Sequence, residues 1–411
     1  MTATATAHGM DKTRVAPDWL PLRLEEVRAL LARYAGCGEP IEIRSVSPRP
    51  FSAASVVSTS SGAVFIKRQT RRVRDREGLL EEHRFLRHLR AHGAPVARVL
   101  ATTADQTAVE IGDWIYEVHE ATAEREAMTE IDIYQDALSW TPFLSISHAY
   151  SAGQALARLH LASEGFADPA RKAQPLVASF SIFACADPAQ GVERYLRARP
   201  SLENDAASRR SCAEALELLK PFHGRLKPLL PSLTPLWTHN DLHASNILWS
   251  NASLGAQAVR VIDFGLADRT NAVHDIAQMI ERNIVEWLEL SPESPERDTA
   301  PVHLDHLQAM LDGYQSVRRL SEAEAAALAP MTALCHAEFA LTEADYFLGV
   351  LHSEANARLC TDGYLVGHAR WFRGEGGRRL LQAIDEWAGQ SANRAQRTDE
   401  NHPSGAKARS V

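Results

Sequence analysis

Cysteine is scarce in this chain, with five in 411 residues, and Cys37, Cys185, Cys212, Cys335 and Cys360 are scattered with no C-x-x-C pair. Disulfide scaffolds and zinc modules need clustered thiols, so neither is expected; dispersed cysteines suit reduced thiols in a cytosolic protein. Long apolar runs are missing too. No stretch approaches the roughly 20 residues that span a bilayer, and residues 1–18, rich in Ala and Thr, lack the apolar core of a secretory signal. Positive charge is in the minority, with 44 Lys and Arg against 52 Asp and Glu for a net charge of −8. That balance argues against a nucleic-acid-binding surface and weakly suits cationic small molecules. The expectation is a soluble, cytoplasmic protein with no membrane, nucleic-acid or obligate protein partner.

What is present is ordinary globular composition, 45% hydrophobic and 23% charged, in a chain long enough for two cores. No repeat or low-complexity linker interrupts it. Residues 1–17 and the polar tail 391–411 are expected to be disordered. Residues 41–45, 54–59 and 63–68 have strand character, with Ser60-Ser61-Gly62 as the turn between the last two. A helix at 78–92 ends at Gly93 before Pro95, and 107–111 and 114–118 form a further strand pair around Gly112-Asp113. Beyond Val118 the pattern turns helical, at 148–161, 212–220, 275–290, 304–317, 323–351 and 378–388. The spacing therefore predicts an α+β chain: a small antiparallel sheet with one helix over 18–118, then a helix-rich domain over 119–390, with a nucleotide cleft between them.

Chemistry concentrates in His239-Asn240-Asp241-Leu242-His243-Ala244-Ser245-Asn246, followed by Val261-Ile262-Asp263-Phe264-Gly265. Phosphoryl transfer needs an aspartate to orient the attacking hydroxyl, and an amide oxygen plus a second carboxylate to hold Mg²⁺. H-x-D-x-x-x-x-N and then D-F-G supply those parts in that order. Two short strands at 247–250 and 259–262, joined by a polar turn, would return Asp263 beside Asn246, so that one hard cation could touch both oxygens. Singly, each residue has a bland reading as turn or core polar group; the bland readings do not predict the order and spacing together. His239-x-Asp241-x-His243 offers no third soft ligand and leaves D-F-G unexplained, so zinc is rejected.

In the 78–92 helix, Glu82, Phe85, Leu86 and Leu89 stand at i, i+3, i+4 and i+7, which puts a carboxylate on the apolar face. A buried carboxylate needs a cation, and Lys67, ending Val64-Phe65-Ile66, is the candidate. Arg71 to Arg76 reads as a basic, solvated loop, with phosphate contact as the alternative.

Together these residues resemble the aminoglycoside phosphotransferase/choline kinase family, which shares the protein-kinase-like two-lobed fold. The resemblance spans roughly residues 35–350. Its support includes Gly153-Gln154-Ala155-Leu156-Ala157-Arg158-Leu159-His160, similar to the helix before the family's catalytic loop, and Leu311-Asp312-Gly313-Tyr314 with Leu320-Ser321-x-x-Glu324. It implies an ATP-dependent kinase, with GTP open, acting on the hydroxyl of an aminoglycoside, amino alcohol or amino acid type of acceptor. By position it makes Asp241 the catalytic base, His239 its buttress, and Asn246 and Asp263 the Mg²⁺ ligands. Lys67 would contact the α/β-phosphates, held by Glu82, and the backbone of His119 and Ala121 would bind the base.

Two departures bear on this. The segment over the phosphates, Ser47-Pro48-Arg49-Pro50-Phe51-Ser52-Ala53-Ala54-Ser55, has no glycine. Only twelve residues separate Asp263 from Asp275, which reads as a helix N-cap with Gln278 completing a capping box. A protein kinase needs a longer segment with A-P-E there. The competing readings are a nucleotide-binding pseudokinase, for which retention of Lys67, Asp241, Asn246 and Asp263 has no reason, and a protein kinase. For the acceptor pocket, Glu338, Glu343, Asp345, Tyr346 and Glu354 are candidates with Trp287 and Trp371 as walls, although acids on that helix more often face solvent.

Overall fold

Strict alternation of side chains builds the first lobe. In the computed structural model, β1 (Pro40–Val46), β2 (Ala53–Thr59), β3 (Gly62–Thr70), β4 (Val109–Ile111) and β5 (Trp114–Glu120) form one antiparallel sheet in the order β1-β2-β3-β5-β4. Val57, Val64, Ile66, Tyr116 and Val118 pack on one face against Val27, Leu30 and Leu31 of helix α1 (Leu24–Leu31). The intervening residues Phe65, Lys67, Glu117 and His119 therefore fall on the opposite face, towards the second lobe and helix α2 (Arg76–Ala91). Asp75 caps α2 by accepting from the Gly78 N–H at 2.7 Å.

The structure describes residues 17–47, 51–121, 140–289 and 300–400, together with Ala5–Thr6 and Arg14–Val15, which pair antiparallel within the stretch expected to be disordered. Pro48, Arg49 and Pro50, the middle of the glycine-free segment, lie outside the described residues.

The second lobe includes the helices α3 (Ile146–Ser163), α4 (Ala206–Leu226), α5 (Ala272–Ile284), α6 (Leu304–Gln315), α7 (Glu322–Leu334), α8 (His336–Tyr346) and α9 (Glu375–Glu400). Two small ribbons sit among them: β6 (Pro235–Thr238) with β9 (Asp268–Asn271), and β7 (Ile247–Trp249) with β8 (Ala258–Val261). The single helix expected at 323–351 is broken at Cys335 and closes in a wider-turned segment, Phe347–Leu351, that ends at His352 with φ 55°. Helix α9 continues to Glu400, into the tail expected to be disordered. Its Ala, Arg, Gln and Glu are good helix formers, and no Gly or Pro intervenes between Ser391 and Pro403.

Helices α3 and α6 touch backbone to backbone. A Cβ on Gly153 would lie 2.0 Å from the Met310 carbonyl oxygen, and one on Gly313 2.1 Å from that of Tyr150. Gly153→Ala is expected to separate the helices and destabilise the protein by about 2–3 kcal/mol, measured by chemical denaturation; unchanged stability would show that the crossing tolerates a methyl group.

Candidate active site between the lobes

The paired strands bring the two motif segments side by side. The loop 239–246 leaves β6 and enters β7, while 262–267 leaves β8 and enters β9; the Ile262 N–H donates to the Asn246 carbonyl at 3.0 Å. This pairing runs the segment carrying Asp263 alongside Asn246.

One buried helix holds the loop in place. Asp275 on α5 accepts from the backbone N–H of His239 at 2.9 Å and of Asn240 at 2.8 Å, and from His160 Nε2 of α3 at 3.0 Å. The Tyr314 hydroxyl of α6 lies 2.7 Å from the other His160 nitrogen. Asp275 is thus not the N-cap expected from sequence. Asn271 caps α5, its side chain accepting from the His274 N–H, and Gln278 instead donates to the Cys335 carbonyl. An aspartate just before an amphipathic run looks the same in both roles. Burial alone would raise the Asp275 carboxyl, but the hydrogen bond and charge of His160 bring it below the ordinary range.

The same helix reaches the next loop residues. Arg282 Nη2 lies 3.3 Å from Asp241 Oδ1; Asn283 accepts from the Ala244 N–H at 2.9 Å and donates to the Leu242 carbonyl at 3.3 Å. Residues 275, 282 and 283 share one face, so α5 pins positions 239, 240, 241, 242 and 244.

His239 is buried and buttresses the loop. Its Nε2 faces the Ile262 carbonyl at 3.0 Å, which can only accept, so Nε2 carries the proton and Nδ1 accepts the Asp241 N–H at 3.2 Å. Asn240 sits at φ 62°, a left-handed conformation that Asn tolerates better than most residues. Asn246 turns its amide nitrogen to Asp241, donating to the carbonyl at 2.9 Å and the carboxylate at 3.3 Å, which directs Oδ1 away from Asp241. His243 Nε2 is 3.7 Å from Asp241 Oδ2.

Asp263 also has positive φ, 63°, and it meets the first lobe: Lys67 Nζ donates to its Oδ1 at 2.8 Å. Burial works against both charges, yet their mutual attraction wins, raising the Lys67 ammonium and lowering the Asp263 carboxyl. The expected Lys67–Glu82 ion pair is not formed. Glu82 is buried on the apolar face of α2 as its spacing predicts, but its Oε2 has no hydrogen-bond partner among the described residues and Glu82 acts on Lys67 through its charge. Glu117, directly across the strand from Lys67, is a second carboxylate acting on it. Glu117 is itself engaged by His83 Nε2 at 3.1 Å and His119 Nε2 at 2.8 Å.

His119 lies inside β5 rather than in a free linker. Val118 and Glu120 bond to Leu100 and Arg98 on one edge, and β3 occupies the other. A strand bonded on both edges has no spare backbone group at His119; Ala121, just past the strand end, does not have this constraint.

Two buried arginines were missed by sequence reasoning. Arg74 Nη2 donates to the Gly265 carbonyl at 2.8 Å and Arg171 Nη1 to the same oxygen at 3.1 Å, while Arg171 also bonds the Gly78 and Ala267 carbonyls. They fasten D-F-G to α2. The basic run 71–76 is therefore not simply solvated: Arg74 is buried while Arg71 pairs with Glu110 at the surface.

Most acceptor-pocket candidates are engaged elsewhere. Glu338 accepts from Ser179, Ser181 and Ile182, and Asp345 from Ser201. Tyr346 donates to Asp18, Trp287 stacks on His368, Trp371 is buried, and Glu354 is exposed. Glu343 alone is coupled to Asp241 and Arg282, with burial pushing its carboxyl up to about 8.

The chain was compared with known proteins. The sequence profile of the phosphotransferase enzyme family (APH) matches residues 49–320. Among solved structures, a microcompartment-associated aminopropanol kinase superposes with a TM-score of 0.55 at 17% identity, covering 88% of this chain and 99% of that one. Amicoumacin kinase hAmiN, solved with AMP-PNP, Ca²⁺ and Ami, gives 0.51 at 14% identity, covering 84% and 91%. At such identities the likeness is one of fold. A search of curated proteins finds no match. No helix among the described residues is long and apolar enough to cross a membrane. The matched span takes in Lys67, the loop pinned by α5, Asp263 and the α3–α6 crossing, and the chain belongs to the phosphotransferase enzyme family, with the two-lobed, protein-kinase-like fold of its small-molecule kinases.

Proposed function

We propose that the protein transfers the γ-phosphoryl group of ATP to the hydroxyl of a small molecule, with Asp241 as the residue that orients and deprotonates that hydroxyl. The observation that carries this reading is the meeting of three segments: the loop on which Asn246 bonds to Asp241, the adjoining segment of Asp263, joined to it through the Ile262 N–H and the Asn246 carbonyl, and Lys67, whose Nζ is 2.8 Å from Asp263. An amide oxygen and a carboxylate are hard donors of the kind Mg²⁺ takes, so Asn246 and Asp263 fit as its protein ligands. Bound there, Mg²⁺ would neutralise charge on the phosphates.

The protein's own groups supply the rest. Asp241, held by Asn246 and Arg282, receives the acceptor hydroxyl. Lys67 exchanges Asp263 for phosphate oxygens when nucleotide enters, with Glu117 and Glu82 keeping its ammonium charged. Ala121, rather than His119, is the backbone contact for the base. Use of GTP fits the same machinery.

The test is a coupled nucleotide-consumption screen over aminoglycosides, choline-like amines, hydroxy amino acids and sugars, with phosphorus NMR on any hit. Acceptor-dependent consumption with a phosphomonoester product is expected. Phosphate transfer to generic proteins alone would replace the reading with a protein kinase, and nucleotide binding without turnover would replace it with a regulatory module.

A further inference from the structure

Two histidines of the first lobe take no part in the proposed phosphoryl transfer, and both aim at one oxygen. His83 Nε2 of α2 lies 3.1 Å from Glu117 Oε2, and His119 Nε2, from the same face of β5 as Glu117, lies 2.8 Å from that atom. The three donor atoms all fall within 4.8 Å of one another. The imidazole planes stand 83° apart, with ring centroids 6.3 Å apart. A carboxylate spreads its lone pairs over two oxygens, so a purely hydrogen-bonded cluster gains nothing from crowding both rings onto one. Around a tetrahedral ion with ligands at about 2.0–2.1 Å, donor atoms sit about 3.3 Å apart. Opening the two contacts by a few tenths of an ångström produces that arrangement.

The surroundings suit a ligating imidazole. His83 Nδ1 lies 2.9 Å from the Thr107 hydroxyl, the kind of outer hydrogen bond that fixes the orientation and tautomer of a metal-bound histidine. With no metal both Nε2 atoms donate to Glu117, since a carboxylate only accepts, and Thr107 donates to Nδ1. With metal on Nε2 the His83 proton moves to Nδ1 and the threonine oxygen accepts it. A hydroxyl serves both states. The side chains of His83 and Glu117 are 1% and 2% exposed and that of His119 is 12% exposed, so entry runs past His119 on the face turned towards the second lobe.

We infer that His83, Glu117 and His119 form a zinc site that ties α2 to β5, with water in the fourth position. Two imidazoles and a carboxylate are donors that Zn²⁺ takes, whereas Mg²⁺ prefers oxygen ligands throughout. The site shares no residue with Asn246 and Asp263, and it needs no thiol. Helix α2 carries Glu82, and β5 sets Glu117 across the strand from Lys67. Zinc therefore fastens together the two elements that frame this lysine. Among the described residues one other group, His303, Asp305 and His306 at the start of α6, could gather round an ion, but it is more exposed.

The test titrates the metal-free full chain with Zn²⁺, and with Co²⁺ as a coloured substitute, keeping Mg²⁺ in excess. One equivalent is expected to bind with a Kd of about 1 μM or tighter and to give the intense visible absorption of four-coordinate Co²⁺. At free Zn²⁺ about 100 times Kd, the thermal midpoint should rise by about 3 °C. His83→Gln, whose amide can still donate to Glu117, should weaken binding by about 10²-fold or more, and Thr107→Val, which leaves all three ligands, by about 10-fold. His306→Gln should leave the Co²⁺ spectrum unchanged. Failure of the unmodified protein to bind Zn²⁺ at micromolar concentration, or a weak six-coordinate Co²⁺ spectrum, would reduce the cluster to a hydrogen-bonded tie. Unchanged affinity in both His83→Gln and Thr107→Val would do the same, and loss of the spectrum in His306→Gln would move the metal to α6. None of these readouts depends on phosphoryl transfer, so a negative result leaves that reading standing.

Discussion

Asp241→Asn is expected to lower kcat by about 10²–10⁴-fold while nucleotide affinity stays within a few-fold of the parent. The amide keeps the shape of the side chain, so Asn246 and the loop backbone retain their contacts, but it can neither accept the hydroxyl proton nor carry the charge that faces Arg282. The nucleotide-side groups form a separate contact, with Lys67 of the first lobe 2.8 Å from Asp263, that does not involve Asp241. Steady-state kinetics with any accepted alcohol, together with nucleotide titration by calorimetry, separates the two effects. Near-parental kcat in this variant would remove Asp241 from the chemistry. Asp241→Ala is the less clean change, because it also strips Arg282 of its nearest counter-charge.

The second large effect is predicted at a residue outside the motif. Asp275→Ala leaves the N–H groups of His239 and Asn240 and the His160 imidazole without their shared acceptor in a fully buried site. The expected destabilisation is about 3–5 kcal/mol, with the thermal midpoint lower by roughly 3–6 °C. Survivors at low temperature should also turn over about 10²-fold more slowly, since the loop carrying Asp241 loses its fixed position. If the midpoint and kcat both stay at parental values, Asp275 does not hold the loop. Loss of stability with full kcat in the folded fraction would make its role structural only.

These two positions show what could be seen from the chain. Asp241, Asn246 and Asp263 were legible because five residues and a hairpin fix their spacing locally, and the Ile262 N–H pairs with the Asn246 carbonyl between the two segments. The five strands and α2 were legible for the same reason, being written in period-2 and period-3.6 patterns with Gly62, Gly93 and Gly112 at turns. Asp275 was visible as a residue and misjudged in role, since capping and burial place the same amino acid before the same apolar run. Arg282 left a signal that was not used: with Glu281 it is a charged pair inside a helix buried on every side, and charge in such a helix is costly unless it meets a partner or a ligand.

The proposed chemistry, phosphoryl transfer by an aspartate with an amide and a second carboxylate nearby, was legible in the sequence itself, because local spacing along the chain orders those groups. Which charges meet was decided only by the tertiary structure. Lys67 pairs with Asp263 rather than Glu82, and Arg282 stands against Asp241, because long-range ion pairs depend on how lobes and helices pack across 196 and 41 residues of chain. Coulomb energy falls off with distance and dielectric, so a shift of a few ångströms in packing selects a different partner from the same set of charged residues.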